Sequence, residues 1–231
     1  SGETLSRHGY RKHPGLAPMQ ENLAAAVVLA TQWEQGKSFV NPMCGSGTLA
    51  IEAALIMQNR VPGLFRTGYG FMHILGYDEN VYQAERAKLK AKITKSVSPI
   101  IASDISERAI EQARNNAQTA GVDHLIDFQV CDFRETKMPT ENGVVVFNPE
   151  YGERLGDITE LEAVYKSIGD FMKQQCKGYQ GYIFTASPEL AKKIGLKASQ
   201  KIPFFNSKLE CRLLEYELYD GSKRAPLITE V

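Results

Sequence analysis

Apolar residues along this chain fall into short unbroken runs that end at polar or glycine-containing turns, and these alternate with stretches whose apolar positions recur on one helical face. The short runs "SFVN" (38–41), "PIIASD" (99–104), "IDFQV" (126–130), "GVVVF" (143–147) and "GYIFTA" (181–186) predict buried strands. Helical periodicity predicts helices over 18–33, 48–57, about 81–95, 106–121, 158–175 and 188–195. Ser106 is placed to cap one of them and Gly121 to stop it. Near the end, "KASQKIPFFN" and "LECRLLEYELYD" form a closing hairpin (197–206 with 209–220). Strands alternating with helices imply a mostly parallel sheet covered on both faces, and the terminal hairpin adds an antiparallel strand at or near its edge. Residues 59–80, rich in glycine and aromatics, interrupt this rhythm as an excursion, and it reads equally as a substrate lid or as a packed insert. The first fifteen residues carry Arg7, His8, Arg11, Lys12 and His13 with few apolar neighbours, and read as an exposed basic lead-in.

Composition narrows the function. The 27 basic and 27 acidic residues cancel, so the chain lacks the cationic footprint of a protein that holds nucleic acid unaided; such contact would be local or supplied elsewhere. Cys44, Cys131, Cys176 and Cys211 are scattered, without the spacing of a zinc site or a disulfide framework. This favours a reducing, cytoplasmic setting and no metal. No apolar run approaches the roughly 18 residues that span a bilayer, so no membrane partner is expected.

Ligands of parallel α/β sheets bind beyond the carboxyl ends of the strands, and the chemically suggestive residues all fall there. "NPMCGSGT" (41–48) follows the first strand. Its Gly45 and Gly47 permit a tight turn and close backbone approach, and the next helix offers its N-terminal amides to an anionic group. It is neither a Walker loop nor GxGxxG, and an ordinary strand-to-helix turn would look much the same. Asp104 ends the second strand, where a carboxylate can accept both hydroxyls of a ribose or merely cap a helix. It follows Gly45 by 59 positions instead of about 20, an excess explained by the excursion at 59–98. Asp132 and Phe133 end the third strand, as an adenine-binding pair or a solvated loop. "NPEY" (148–151) ends the fourth.

In this order the four strand ends resemble the class I S-adenosylmethionine-dependent methyltransferases that modify exocyclic amino groups. More narrowly, "GYRKHPGLAPMQENLAAAVV", "NPMCGSGTLAIEAAL" and "NPEYGERLG" are similar to the bacterial family of THUMP-containing rRNA guanine-N2 methyltransferases, also described as N6-adenine-specific DNA methylases. The resemblance covers nearly all of residues 1–219. It implies a Rossmann-like fold with a seven-stranded sheet, S-adenosylmethionine as cofactor, and 23S rRNA as substrate with DNA a less favoured one. It also implies that residues 1–17 are a lead-in from an upstream RNA-binding THUMP region, and that 18–231 form the catalytic domain. By resemblance, Pro18 to Leu23, with Glu21 and Asn22, lies over the methionine end of the cofactor. Asn41, Cys44, Gly45, Ser46, Gly47 and Thr48 line its path, Asp104 and Ile105 hold the ribose, and Asp132 with Phe133 flanks the adenine.

Chemistry gives an independent reason for the fourth motif. A nucleobase amino nitrogen is a poor nucleophile, because its lone pair is delocalised into the ring. Two acceptors, the Asn148 side-chain oxygen and the Pro149 carbonyl, can take its N–H bonds and turn that pair toward a methyl donor. Tyr151 offers a face on which an extruded base can stack, worth roughly 1 to 3 kcal/mol. The family's usual motif is Asn-Pro-Pro-Tyr, so Glu150 is a departure; we expect activity to be retained, at a reduced rate. Asn41 is a milder departure, standing where many methyltransferases carry aspartate. The competing readings are an N6-adenine DNA methylase, a protein that binds cofactor and RNA without catalysis because of Glu150, and a nucleotide-dependent dehydrogenase, which the glycine spacing disfavours.

Overall fold

The computed structural model of the chain describes residues 4–11, 19–151 and 158–219. Seven strands form one sheet: β1 (Ser38–Pro42), β2 (Ile100–Asp104), β3 (Ile126–Val130), β4 (Gly143–Phe147), β5 (Gln180–Thr185), β6 (Gln200–Asn206) and β7 (Leu209–Glu217). The α-helices among the described residues are α1 (Glu21–Ala30), α2 (Thr48–Met57), α3 (Glu79–Ala91), α4 (Glu107–Ala120), α5 (Ile158–Gln175) and α6 (Pro188–Lys193). The strand order is β3-β2-β1-β4-β5-β7-β6. β1 to β5 run parallel, and β7 lies antiparallel between β5 and the edge strand β6.

The strand pattern follows from coverage. Every residue of β1 is buried, as is every residue of β4 after Gly143, because helices cover both faces there; such strands read as continuous apolar runs. On one face α1, α2 and α4 pack through residues such as Val27, Ile51 and Ala113 against Phe39, Val144 and Phe184. On the other, α5 and α6 pack through Tyr165, Ile168, Met172 and Leu190 against Val145, Phe147, Ile183 and Leu214. At the edge the cover gives out, and β6 alternates exposed with half-buried positions. The order of the sheet reverses between β1 and its neighbours β2 and β4, which opens a crevice at the carboxyl end of β1.

The lead-in is exposed only in part: Thr4, Leu5, Arg7 and Gly9 are exposed as expected and Lys12 and His13 lie outside the described residues, but two of its side chains are buried. His8 and Tyr10 are buried at 5% and 1% exposure, and both bond Glu52 in the middle of α2: His8 Nδ1 at 2.7 Å, and the Tyr10 hydroxyl, as donor, at 2.7 Å. Glu21, at the start of α1, accepts the backbone N–H groups of His8 and Gly9 and faces Arg11 Nε at 3.5 Å. These polar side chains can be buried because each finds a partner. Burial first, and the Glu52 carboxylate second, push the Tyr10 hydroxyl well above its ordinary range and keep it a donor.

The 59–98 excursion joins the end of α2 to the start of β2, at the end of the sheet opposite the crevice. Arg60 donates to the Gly121 carbonyl at 2.9 Å, Arg86 donates to the carbonyls of Leu64 and Arg66, and Phe65 meets Tyr10 edge-on. Tyr69, Phe71, Tyr77 and Tyr82 pack on one another. These contacts are those of a packed insert rather than of a lid over the strand ends.

Candidate active site

The glycine turn after β1 is built around left-handed backbone. Met43, Gly45 and Gly47 have φ of 57°, 54° and 79°. At Gly47 a side chain is excluded twice, since a Cβ there would lie 2.8 Å from the Ala113 Cβ on α4. At Gly45 a Cβ would meet nothing within 4 Å, so that glycine leaves open space in front of the turn. Three bonds hold the turn to β2 and α4: Cys44 N–H to the Ser103 carbonyl at 2.8 Å, Gly45 N–H to Asp104 Oδ2 at 2.9 Å, and Asn116 Nδ2 to the Ser46 carbonyl at 3.2 Å. Gly47 caps α2 without any side chain, which leaves first-turn amides of α2 directed into the crevice.

Asp104 is therefore a connector as well as a candidate ribose ligand. Its second oxygen accepts the Ser106 N–H at 3.0 Å, and carboxylate lone pairs remain for further donors. Beside it Ile105 stands 73% exposed, an apolar side chain left uncovered at the mouth. Burial, then Asp104, push the Cys44 thiol well up, so it stays neutral. The Cys131 N–H bonds the Asp104 carbonyl at 3.0 Å and draws the end of β3 to the same place. There Arg134 grips Asp132 through its Nε and Nη2 at 2.8 and 2.7 Å, and this holds the Asp132 carboxyl below its usual range. Phe133 packs edge-on against Phe147 and Phe171, so one side of its ring is fixed by the core.

The fourth strand end completes the crevice. Asn41, 1% exposed, donates from Nδ2 to the Val146 carbonyl at 2.9 Å, beyond the point where the β1–β4 ladder stops at Val40 and Val145. Its Oδ1 is buried without a partner in the described structure, and so is Asn148 Oδ1. Pro149 is buried, Glu150 exposed and Tyr151 half-buried. The Tyr151 ring sits edge-on to Phe184 at 6.4 Å, its hydroxyl accepts from Asn206 Nδ2 at 3.4 Å, and burial raises the pKa of that hydroxyl.

The structure thus gathers Asn41, Cys44 to Thr48, Asp104, Ile105, Asp132, Phe133, Asn148, Pro149 and Tyr151 around one crevice. It does not bring Glu21 there as a free group, since both its oxygens are taken up by the lead-in, and the Asn22 side chain is exposed. Pro18 and the "GERLG" segment lie outside the described residues. Asn116, Arg134 and Asn206 are supporting residues that the sequence reading did not single out. Asn116 alone had a visible signal, as a polar residue among Ile110, Ala113, Ala117 and Ala120 on the buried face of α4. Among the described residues, no three of His, Cys, Asp and Glu are grouped to hold a metal ion, and no helix is long and apolar enough to cross a membrane.

A seven-stranded sheet in this order, with a glycine turn, two acidic strand ends and Asn-Pro-x-Tyr around the switch point, defines a class I methyltransferase fold. The family model of the RMKL-like methyltransferase domain matches residues 8–215, and the chain belongs to that family. It is 40% identical over 229 residues to the ribosomal RNA large subunit methyltransferase K/L of Syntrophotalea carbinolica, a match covering 94% of this chain and 32% of that protein. The chain thus spans about a third of the length of the curated relatives it matches. Among solved structures, the methyltransferase SMU.472, complexed with SAH, superimposes with a TM-score of 0.86 at 31% identity, over 96% of this chain and 58% of the other. A protein from Listeria monocytogenes, named as a predicted N6-adenine-specific DNA methylase, does so with a TM-score of 0.82 at 34% identity, over 94% and 56%.

Proposed function

We propose that this chain is the catalytic domain of an S-adenosylmethionine-dependent methyltransferase acting on an exocyclic amino group in RNA, namely guanine N2 of large-subunit rRNA, in the cytoplasm. The observation that carries the reading is Asn148 Oδ1, a buried acceptor with no partner at the end of β4, set between the buried strand and Pro149. Leaving such an acceptor unpaired costs about 1 to 3 kcal/mol, a cost that an incoming N–H donor removes. The names of the relatives favour rRNA over the DNA substrate named for the Listeria protein.

The crevice fits the cofactor. Open space in front of Gly45, unpaired helix amides, Asp104 beside exposed Ile105, and Asp132 beside Phe133 supply in order what a methionine tail, a ribose and an adenine require. When bound, S-adenosylmethionine supplies an electrophilic methyl group on a sulfonium. The residues of the chain do the rest. Asn148 Oδ1 and the Pro149 carbonyl each accept one hydrogen of the target amino group and turn its lone pair outward. Tyr151, braced by Phe184 and Asn206, supports the flipped base. The methylated nitrogen then sheds a proton to solvent, so no strong base is needed. Glu150 points to solvent, which supports retained activity over the reading of a disabled site.

Incubation with labelled S-adenosylmethionine and undermodified rRNA or duplex DNA, followed by nucleoside analysis, tests this. Labelled N2-methylguanosine is expected, and N6-methyladenine in DNA would refute the substrate. Asn148→Ala is expected to lower transfer by at least about 100-fold while sparing cofactor binding; a variant of normal rate would sink the amino-group mechanism.

A further inference from the structure

The crevice accounts for one base, yet a base in a polynucleotide brings its backbone with it. On the α5–α6 side of the sheet, next to the crevice, lies a groove of about 540 Å³. Its floor is Thr185, Leu214 and Tyr216, one wall is α6, and Lys192, Lys197, Lys201 and Arg212 stand around it. Strand register sets these side chains on one face: Arg212 pairs with Thr185 on one side and Pro203 on the other, and Leu214 pairs with Lys201. The same face of the edge strand continues outward to Phe205, which is 67% exposed. Lys208 is exposed at the hairpin tip, next but one to Asn206, which bonds Tyr151.

The charges are available. Neither Lys197 nor Lys201 has an ion-pair partner among the described residues. Lys192 is held by Glu189 at 2.8 Å and Arg212 by Glu210 at 3.1 Å, and Glu210 faces the groove as its one acid. Both are exposed pairs, which contribute little and exchange readily for a phosphate. In a chain whose total charge is zero, a groove with four cations and one acid is a local concentration of positive charge. Cations beside an exposed aromatic ring on an open sheet are what single-stranded nucleic acid requires, since phosphates take the charges and a base takes the ring. From the end of β4, where Asn148 stands, to the edge strand is three strand spacings, about 14 Å, within reach of the two or three nucleotides that adjoin the target.

We propose that this groove, between α6 and the uncovered face of the β6–β7 hairpin, holds the RNA strand adjoining the methylated base, with Lys197, Lys201 and Arg212 on its phosphates and Phe205 beneath a neighbouring base. This rests on the reading of the chain as an RNA methyltransferase.

The test titrates an undermodified 23S rRNA transcript and a labelled single-stranded oligoribonucleotide against the 231-residue chain, against Lys197→Glu with Lys201→Glu, and against Phe205→Ala, across a range of salt. The charge reversal is expected to weaken binding at least tenfold and to lower the salt slope by about 1.4, which is about 0.7 for each phosphate no longer neutralised. Phe205→Ala is expected to weaken binding about tenfold with the slope unchanged. S-adenosylmethionine affinity by calorimetry stays at the wild-type value in both, which separates a disabled groove from a damaged fold. If wild type binds and methylates RNA while the variants bind with unchanged affinity and slope, the groove assignment fails and the functional reading stands. If wild type neither binds nor methylates RNA, both fail. Loss of self-association in sedimentation, with RNA binding intact, would give the groove to a second copy of the chain and overturn the proposal.

Discussion

Replacing Gly47 by alanine tests the geometry on which the crevice depends, because Gly45 provides an internal control. Both glycines are left-handed, at φ 79° and 54°, so an alanine at either position carries a conformational cost of about 1 to 2 kcal/mol. Only Gly47 has a neighbour in the way. The new Cβ would lie 2.8 Å from the Ala113 Cβ and 3.3 Å from its Cα, well inside the ordinary carbon contact of about 3.5 to 4.0 Å. Forcing α2 and α4 apart adds about 1 to 3 kcal/mol, as overpacked cores do. We therefore expect Gly47→Ala to destabilise by about 2 to 5 kcal/mol and Gly45→Ala by about 1 to 2, against a total stability of about 5 to 15. Urea unfolding of both variants, of Ala113→Gly and of the Gly47→Ala/Ala113→Gly pair measures the overlap as a coupling energy. Equal losses at the two glycines, or a coupling below about 0.5 kcal/mol, would refute the close helix approach. Gly45→Ala should instead weaken S-adenosylmethionine binding, since its methyl group enters the open space in front of the turn.

Tyr10→Phe removes a buried donor from Glu52 and is expected to lose about 1.5 to 3 kcal/mol in the same unfolding assay; an unchanged midpoint would mean that the lead-in is not held as described. Arg134→Ala should return the Asp132 carboxyl to the ordinary aspartate range in an NMR titration. The folded-state pKa of Asp132 is depressed, so the pair's contribution to stability is present above the unfolded pKa and is lost as pH falls through the folded one. The variant should therefore differ from wild type at neutral pH and converge with it in acid, and a constant difference across that range would contradict the pairing. Glu150→Pro is expected to raise the transfer rate, by less than about threefold, and to raise stability by at most about 1 kcal/mol; an unchanged rate would mean that Glu150 slows nothing, and a tenfold change would show that the carboxylate reaches the reaction.

How much of this was legible depended on how far apart the partners lie in sequence. β1, β2, β4 and β5 were visible because helices cover both their faces and leave nearly continuous apolar runs, and β3, at the sheet's other edge, because buried Ile126 and Phe128 alternate with Asp127 and Gln129. The strand-end residues followed from them, since topology alone carries Asp104, Asp132 and Asn148 to one edge. The lead-in was misjudged for the opposite reason. His8, Tyr10 and Arg11 look solvated until Glu21 and Glu52 are brought beside them, and no periodicity announces a partner 42 residues away. The role of Glu21 as the anchor of that strap was hidden for the same reason, since the residues it holds lie 10 to 13 positions upstream. The Asn41 bond to Val146 spans 105 residues and showed in the sequence only as an asparagine where an aspartate is usual.

The burial of His8 and Tyr10 also bears on where the folded unit begins as a heritable piece. A cut at residue 18 would look natural in the sequence, just ahead of the first helix, yet it would leave Glu52 inside the core without His8 or Tyr10. Stripping a buried carboxylate of its partners costs about 3 to 5 kcal/mol, a large part of a domain's whole margin. Shuffled into another protein as residues 18–219, the domain would travel with a buried acid stripped of its partners. Residues 6 to 11 must be transplanted with it, and their sequence is constrained by the fold they close.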